Sequence, residues 1–273
     1  MNRPYAEVIG DPIAHSKSPL MHQFWLRQLG IDADYRATHV PTADLPAYFT
    51  DRRRDPAWRG CNVTVPHKSA VLEYIDGSTG DVGAIGAANT LAKSQSDTDG
   101  GITGHNTDAE GFMRPLQHVD LTGKNVGVIG AGGAARAVLY ALGKCRPAGI
   151  TVYNRTPERA KRIIDDLGID ARTATLEALC PDVDLLVNTS TLGMAGAPPL
   201  GIDLSSMPRD GIVYDIVYAP LETALLAQAR ERGLRAIDGL GMLIGQAMAA
   251  FRIFFHSEPP SGKEDELRAL LTS

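Results

Sequence analysis

Residues 126–142 read VGVIGAGGAARAVLYAL, and this stretch decides the fold of the second half of the chain. An apolar, β-branched run ends at Gly130, and a run with helical character begins at Gly133. Gly130, Gly132 and Ala135 match the pattern G-x-G-x-x-A, in which small residues let the backbone approach a pyrophosphate. The free N–H groups of the following helix would face the phosphate charge. The stretch therefore predicts a phosphate-binding loop between a strand and a helix, with a plain tight turn as the alternative.

The residues around this loop alternate between strand and helix. Runs rich in Val, Ile and Leu predict strands at 125–130, 150–154, 184–190, 211–217 and 235–238. Helical patterns lie between them at 133–144, 157–167 and 222–232. Apolar strands that alternate with helices predict a parallel sheet covered on both faces. We therefore expect an α/β fold with a Rossmann-type nucleotide-binding domain at 109–238, whose cofactor loop contains Gly130, Ala131, Gly132, Gly133 and Ala134.

The residues before this domain predict a separate α/β domain at 1–108. Its expected strands are 6–10, 35–40, 61–65, 89–93 and 102–106, with a turn cluster at 94–101. Its expected helices are 19–29, one that begins at a Thr42 cap, and 66–75. Residues 242–255 are apolar nearly all round and must lie against protein. We expect residues 239–273 to form helices that pack back on this first domain, which would make it discontinuous.

Length, charge and cysteine content exclude several classes of protein. A chain of 273 residues can bury two cores, and a net charge of −5 argues against a nucleic-acid-binding surface. No apolar stretch approaches the roughly 18 residues of a membrane span, and the first residues lack the apolar core of a secretion signal. Cys61, Cys145 and Cys180 are widely spaced and odd in number, as expected of reduced thiols in the cytoplasm. The histidines lack metal-ligand spacing, so no metal is expected.

The end of the second strand of the nucleotide domain indicates which dinucleotide binds. An NAD site usually has an acidic residue about 20 residues after the first glycine of the loop. Here the chain instead has Asn154, Arg155, Thr156 and Arg159. Two guanidiniums beside a hydroxyl and an amide can bind a 2′-phosphate through charge-assisted hydrogen bonds. The expected cofactor is therefore NADP, and two solvated helix arginines are the alternative.

Four polar motifs in the first domain identify the family that the chain resembles. They are GDPIAHSKSP (10–19), GCNVTVPHK (60–68), GAANT (86–90) and GHNTDAEGF (104–112). Together with GAGGAARA (130–137), NRTPERA (154–160), NTSTLGM (188–194), YDIVYAPLET (214–223) and GLGMLIGQA (239–247), they resemble shikimate dehydrogenases nearly from end to end. One departure is the glycine-rich stretch at 75–85, where the family usually has a helix.

The resemblance implies two sets of substrate ligands in the first domain. Two short hydroxyl side chains, Ser16 and Ser18, would hold the substrate carboxylate without placing a fixed charge beside it. Ser18 could equally cap a helix that begins at Pro19. The ligands of the ring hydroxyls would be side chains that can both donate and accept, as vicinal alcohols require: Thr64, Asn89 and Gln246, with Asn62 close by.

The resemblance also assigns two residues to the reaction. Lys68, just after the strand predicted at 61–65, would transfer the proton at the reacting oxygen. Asp108 would orient the Lys68 ammonium and accept a hydrogen bond from the substrate. The alternatives are a purely structural salt bridge between the two, or a lysine solvated at the start of the helix predicted at 66–75.

The nucleotide domain would complete the site, in a cleft between the two domains. By the same resemblance, Tyr218 would close the pocket, and the backbones of Ile216 and Gly239 would lie near the nicotinamide. His15 and His67 lie inside the motifs, but the resemblance gives neither of them the proton transfer.

The implied activity is the reversible, NADP-dependent reduction of 3-dehydroshikimate to shikimate in aromatic amino-acid biosynthesis. A quinate or aminoshikimate dehydrogenase of the same superfamily is the nearest alternative, and a non-catalytic nucleotide-binding sensor is a more distant one. All four polar motifs of the first domain are present, which argues against the sensor. The expected partner is a small molecule, and the sequence leaves a monomer and a homodimer equally open.

Overall fold

The computed structural model describes residues 3–94, 100–178 and 182–272. The chain divides into two compact units, one of Met1–Thr107 with Ile244–Ser273 and one of Asp108–Leu243. Cys180 and most of the turn predicted at 94–101 lie outside the described residues. Within the described ranges, no helix is long and apolar enough to cross a bilayer, and no His, Cys, Asp or Glu side chains are grouped to hold a metal.

The first unit is built on a mixed sheet. Its N-terminal elements are β1 (Tyr5–Gly10), α1 (Ser18–Leu29), β2 (Asp34–His39), α2 (Leu45–Arg54), β3 (Trp58–Val63), β4 (Gly77–Ser78), α3 (Gly80–Ile85), β5 (Thr90–Lys93) and β6 (Ile102–His105). The strand order is β2-β1-β3-β5-β6-β4. Strand β1 pairs in parallel with β2 and β3, whereas β5 runs antiparallel to β3 and β6. The carboxyl ends of β1, β3 and β6 and the amino end of β5 therefore share one edge of the sheet.

The segment after β3 differs from the prediction. The helix expected at 66–75 is wrong, because turns lead directly into a short 3₁₀ helix at Ala70–Tyr74. Pro66 has no N–H to donate. The carbonyl oxygen of Lys68 accepts a hydrogen bond from the N–H of Ala88, at 2.8 Å. Its donor is therefore a residue at the edge of the sheet and not one in the next turn of a helix. At Lys68 a contact distant in sequence has replaced the α-helical hydrogen bond, whereas Val71 still donates to the carbonyl oxygen of His67 at 3.0 Å.

Two predicted boundaries are also wrong. The strand expected at 61–65 ends at Val63, because its ladder with β1 stops at the pair of Ile9 and Val63. Thr42 does not cap α2 but lies in a 3₁₀ turn before it, and α2 begins at Leu45. Pro46 is in the first turn of α2, where the fixed φ of proline is favourable, and this places the start of the helix.

The second unit is a parallel α/β sheet. Its elements are α4 (Asp108–Met113), β7 (Asn125–Ile129), α5 (Gly133–Gly143), β8 (Gly149–Tyr153), α6 (Pro157–Leu167), β9 (Arg172–Ala174), β10 (Leu185–Asn188), β11 (Ile212–Asp215), α7 (Ala224–Glu231) and β12 (Arg235–Ile237). The order β12-β11-β10-β7-β8-β9, with parallel pairing throughout, is that of the Rossmann fold. The predicted fold class is confirmed. Ligands of such sheets bind outside the carboxyl ends of the strands, where the order reverses, here between β7 and β10.

Two C-terminal helices follow, α8 (Leu240–Phe255) and α9 (Glu264–Thr272). The part of α8 from Ile244 onwards belongs to the first unit. There, the rings of Phe251 and Phe254 lie 5.8 and 6.2 Å from the ring of His22 on α1. The His22 ring is also stacked on Tyr35 of β2, with centroids 3.9 Å apart. An aromatic core thus connects α8 to α1 and β2.

His22 makes this aromatic core sensitive to acid. The side chain is fully buried, and no described residue offers either ring nitrogen a hydrogen bond. Burial lowers the pKa of His22 from 6.5 to about 3, because apolar surroundings disfavour the charged ring. Between these values the unfolded chain binds a proton that the folded chain does not. Folding stability is therefore lost as the pH falls from 6.5 towards about 3.

We expect His22→Phe to remove most of this acid sensitivity. Between pH 7 and pH 5, the free energy of unfolding should fall by about 2 kcal/mol more in the wild type than in the variant. Urea titrations at the two pH values measure this difference. His15→Gln, at an exposed histidine of the same unit, is the control and should keep the wild-type dependence. Equal losses in His22→Phe and in the wild type would contradict the assignment.

Candidate active site

The two serines predicted to bind a carboxylate lie between β1 and α1. Ser16 is half-buried, and its Oγ accepts the backbone N–H of Ser18 at 3.3 Å. The alternative that Ser18 caps a helix from Pro19 is wrong. Helix α1 begins at Ser18 itself, with Lys17 in the cap position and Pro19 in the first turn. Two hydroxyl side chains therefore lie beyond the carboxyl end of β1.

Asn62 lies at the same edge of the sheet, on β3 beside the start of β5. Its Oδ1 accepts the hydroxyl of Tyr35 at 2.6 Å. Its Nδ2 donates to Thr90 Oγ1 at 2.9 Å and to the carbonyl oxygen of Asn89 at 3.3 Å. An amide has two donors and two acceptor positions, so these bonds leave one acceptor position for a ligand. Thr64 lies just beyond β3 and is half-buried.

Asn89 immediately precedes β5 and is held by Thr107. Its Oδ1 accepts the backbone N–H of Thr107 at 2.7 Å, and its Nδ2 donates to Thr107 Oγ1 at 3.0 Å. Asn89 is only 2% exposed. Thr107 directly precedes Asp108. This pair of hydrogen bonds therefore fixes the backbone that leads into Asp108. Thr107 lies within the motif at 104–112, but no role is predicted for it from the sequence.

Lys68 is half-buried in the turn that follows β3. Its carbonyl oxygen is bonded to Ala88, as described above. The neighbouring His67 is fully buried, and its Nε2 lies 2.6 Å from the carbonyl oxygen of Val40, to which it donates. The turn is thus anchored both to the start of β5 and to the end of β2. The alternative of a lysine solvated at a helix start does not hold.

The other residues predicted to contact the substrate lie on later elements. Asp108 is buried and is the first residue of α4, in the second unit. Gln246 is half-buried on α8, in the part that belongs to the first unit. Tyr218, three residues beyond β11, is 38% exposed.

The glycine loop adopts the geometry that its sequence predicts. Gly130 has a φ of 105°, which disfavours other residues, and a Cβ there would lie 2.9 Å from Thr189 Oγ1. The loop after β7 therefore packs against the loop after β10, at the point where the strand order reverses. Gly132 and Gly133 are exposed, with open space where a Cβ would project. The N–H groups at the start of α5 can therefore face a phosphate. Ala131 and Ala134 are buried and half-buried.

The predicted 2′-phosphate ligands follow β8. Arg155 and Arg159 are exposed, and in the part of the chain that the structure describes neither guanidinium forms an ion pair. The Nδ2 of Asn154 donates to the carbonyl oxygen of Thr156 at 2.7 Å, which holds the turn between β8 and α6. Two free guanidiniums on a fixed turn beside an open glycine loop fit a dinucleotide that carries a 2′-phosphate.

Ile216 and Gly239 are neighbours in the structure. A Cβ at Gly239 would collide with the carbonyl group of Ile216, so only glycine permits this backbone approach. The preceding residue, Asp215, is fully buried and holds the loop that contains Ile216. It accepts hydrogen bonds from the Asn188 amide at 2.9 Å and from the Thr223 hydroxyl at 2.8 Å. Burial raises the pKa of Asp215, although these bonds oppose the shift. Asn188, Asp215 and Thr223 all lie within the sequence motifs, but no role is predicted for any of them from the sequence.

Comparison with known proteins identifies the family. The family models "Shikimate dehydrogenase substrate binding domain", "Shikimate / quinate 5-dehydrogenase" and "Shikimate 5'-dehydrogenase C-terminal domain" match residues 8–91, 114–192 and 239–263. The shikimate dehydrogenase (NADP(+)) of Sphingopyxis alaskensis is 54% identical over 271 residues, which cover 99% of this chain and 97% of the relative. The chain belongs to the shikimate dehydrogenase family.

Solved structures of this family have the same fold. Shikimate 5-dehydrogenase of Thermus thermophilus, in complex with NADP(H) and shikimate, is 37% identical with a TM-score of 0.85, over 97% of this chain and 99% of that one. Quinate dehydrogenase of Corynebacterium glutamicum, in complex with NAD, is 30% identical with a TM-score of 0.84, over 98% of this chain and 99% of that one. The family that the sequence motifs predict is confirmed.

Proposed function

We propose that this protein is an NADP-dependent shikimate dehydrogenase, which reversibly reduces 3-dehydroshikimate to shikimate in aromatic amino-acid biosynthesis. The observation that carries the proposal is the gathering of hydroxyl and amide side chains at one edge of the first sheet. They follow β1, β3 and β6 or precede β5. A polyhydroxylated acid requires such a set, whereas a bare nucleotide-binding sensor does not.

We assign substrate binding to the first unit, with the C-terminal helices as part of it. Ser16 and Ser18 bind the carboxylate, because two hydroxyl donors suit an anion. The ring hydroxyls are bound by Thr64, Asn89 and Gln246, with Asn62 using its remaining acceptor position. Tyr218, in the second unit, is assigned to substrate binding as well.

We assign NADP binding to the second unit. When bound, NADP supplies the hydride for reduction and accepts it for oxidation. The loop at 130–134 binds the pyrophosphate through backbone N–H groups. The 2′-phosphate contacts Asn154, Arg155, Thr156 and Arg159. The backbones of Ile216 and Gly239 border the nicotinamide, and Asp215 holds them in place through its bonds to Asn188 and Thr223.

We assign the proton transfer to Lys68 and Asp108. A secondary alcohol loses a proton from oxygen as hydride leaves carbon, and the reverse reaction needs a proton donor at the carbonyl oxygen. Lys68 supplies or takes this proton, and Asp108 orients its ammonium. The hydrogen bonds of Ala88 to Lys68 and of Asn89 to Thr107 support this pairing. Ala88 and Asn89 are adjacent, so one short segment holds both the backbone of Lys68 and the residue that precedes Asp108. A purely structural salt bridge is the alternative.

An assay panel of shikimate and quinate, each with NADP and with NAD, tests the proposal. Quinate differs from shikimate by a tetrahedral, hydroxylated carbon next to the carboxylate. Its extra hydroxyl has no evident partner beside two serines, so kcat/KM should be about 10- to 100-fold lower for quinate than for shikimate. Comparable values would favour the quinate dehydrogenase alternative, and no oxidation of either acid with either cofactor would favour the sensor.

Serine variants locate the carboxylate in the same assay. Ser16→Ala and Ser18→Ala should each raise the KM for shikimate about tenfold and leave the KM for NADP unchanged, because each removes one donor to an anion. Ser261→Ala, at an exposed residue of the same unit, is the control. An unchanged shikimate KM in both serine variants would place the carboxylate elsewhere.

We place the protein in the cytoplasm as a monomer or homodimer. Its substrate is a small molecule, and neither a nucleic acid nor a membrane is a partner. The thiols of Cys61 and Cys145 are free, in keeping with a reducing compartment. Sedimentation of the purified protein decides between the two oligomeric states.

A further inference from the structure

A buried set of hydrogen bonds runs along the edge of the first sheet that holds the predicted ligands of the ring hydroxyls, and Tyr35 lies at one end of this set. The hydroxyl of Tyr35 donates to Asn62 Oδ1, and Asn62 in turn donates to Thr90 and to the carbonyl oxygen of Asn89. Asn89 continues the set to Thr107. Tyr35 thus begins a run of buried hydrogen bonds that reaches Asn62 and Asn89, two of the residues predicted to serve the ring hydroxyls.

The phenol is held rigidly. Tyr35 is fully buried, and its ring is parallel to that of His22 within 5°, at 3.9 Å. Its β2 backbone is paired with β1, opposite Ala6. Because the Tyr35 ring is fixed, its hydroxyl donor determines whether the oxygen or the nitrogen of the Asn62 amide faces it. The oxygen of Asn62 points at Tyr35, and the nitrogen therefore points at Thr90 and Asn89.

We propose that Tyr35 is a positioning residue for the substrate, which orients the Asn62 amide and, through it, the Asn89 segment. This inference rests on the proposed function. Without the phenol hydroxyl, Asn62 Oδ1 loses its buried donor. An amide rotated towards another partner is then favoured. The remaining acceptor position of Asn62 would then no longer face a ring hydroxyl. Tyr35 is fully buried and acts through Asn62, so its effect falls on substrate affinity.

Tyr35→Phe tests the proposal, because it removes the hydroxyl and keeps the ring that stacks on His22. The dissociation constant of shikimate, measured by calorimetry, should rise about tenfold, while that of NADPH stays within about twofold of the wild type. An analogue of shikimate that lacks the ring hydroxyl served by Asn62 should bind the variant and the wild type about equally. A loss of general stability would instead weaken the binding of shikimate and of every deoxy analogue alike.

Tyr48→Phe is the matched control. The hydroxyl of Tyr48 is also buried in the first unit, but it donates to Glu7 Oε1 at 2.9 Å, in a separate cluster with Arg52. This variant should lose similar thermal stability and keep the wild-type affinity for shikimate. Equal shikimate affinities in Tyr35→Phe and Tyr48→Phe would overturn the role of Tyr35. A wild type that fails to bind shikimate would overturn the proposed function instead.

Thr90→Val provides a second variant should Tyr35→Phe not fold. It replaces the acceptor on the other side of the Asn62 amide by a group of the same shape. The same rise in the shikimate dissociation constant, with an unchanged value for NADPH, is expected. Wild-type affinity in Thr90→Val would show that the orientation of Asn62 does not affect the substrate.

Discussion

Replacing Lys68 with alanine should lower kcat by about 10²- to 10⁴-fold, the usual contribution of general acid–base catalysis. The side chain is half-buried in a turn that is anchored through its own carbonyl oxygen and through His67. Because these anchors are the Lys68 backbone and a neighbouring side chain, Lys68→Ala should leave the fold and NADP binding intact. The decisive measurement is kcat for shikimate oxidation under conditions in which chemistry limits the rate, with thermal unfolding and NADPH binding measured in parallel.

The controls separate a catalytic lysine from a structural one. Lys263→Ala removes a partly exposed lysine of the same unit, which pairs with Glu266, and should keep the wild-type kcat. Lys68→His should recover part of the lost rate if its imidazole reaches the same oxygen. Asp108→Asn should also lower kcat, because it removes the charge that orients the ammonium. A folded Lys68→Ala enzyme with near-normal kcat would leave Lys68 and Asp108 as a structural pair.

Reversing the charge of Arg155 should produce the second large effect, on the choice of cofactor. A charge-assisted contact to phosphate typically contributes about 1.5–3 kcal/mol, and Arg155→Asp also adds repulsion. We therefore expect KM for NADP to rise by about 10- to 150-fold or more, while KM for NAD changes little. Arg159→Asp should act in the same direction. The ratio of kcat/KM for the two cofactors, with shikimate saturating, measures the effect.

Arg209→Asp is the matched control for general electrostatics. Arg209 is exposed and belongs to the same unit, but it lies just before β11, at the amino ends of the strands. The same change in net charge there should leave the cofactor ratio unchanged. If the wild type used NAD and NADP equally well, the 2′-phosphate assignment would be wrong for both arginines.

The sequence by itself determined the second unit and its cofactor loop. The strand, the glycine loop and the helix follow each other within a few residues. The need for small residues at Gly130 and Gly132 can therefore be recognised from neighbouring residues in the sequence. Apolar strands separated by helices leave few topologies other than a parallel sheet. The family motifs added the predicted substrate ligands, because each motif keeps its residues within one short segment. Pro19 also marked the start of α1, whereas the Thr42 cap predicted for α2 was wrong.

Only the tertiary structure decided how the sheet edge with the predicted substrate ligands is held together. Asn62 bonds Tyr35, which is 27 residues earlier, and Asn89 bonds Thr107, which is 18 residues later. The carbonyl oxygen of Lys68 accepts the N–H of Ala88 at the sheet edge, in the turn that stands where the start of a helix was predicted. Periodicity and capping patterns report bonds between residues three or four apart, and these partners come together only after the strands pair. The sequence therefore named Lys68 and Asn89, but their surroundings, and the place of Tyr35 among them, follow from the order of the strands.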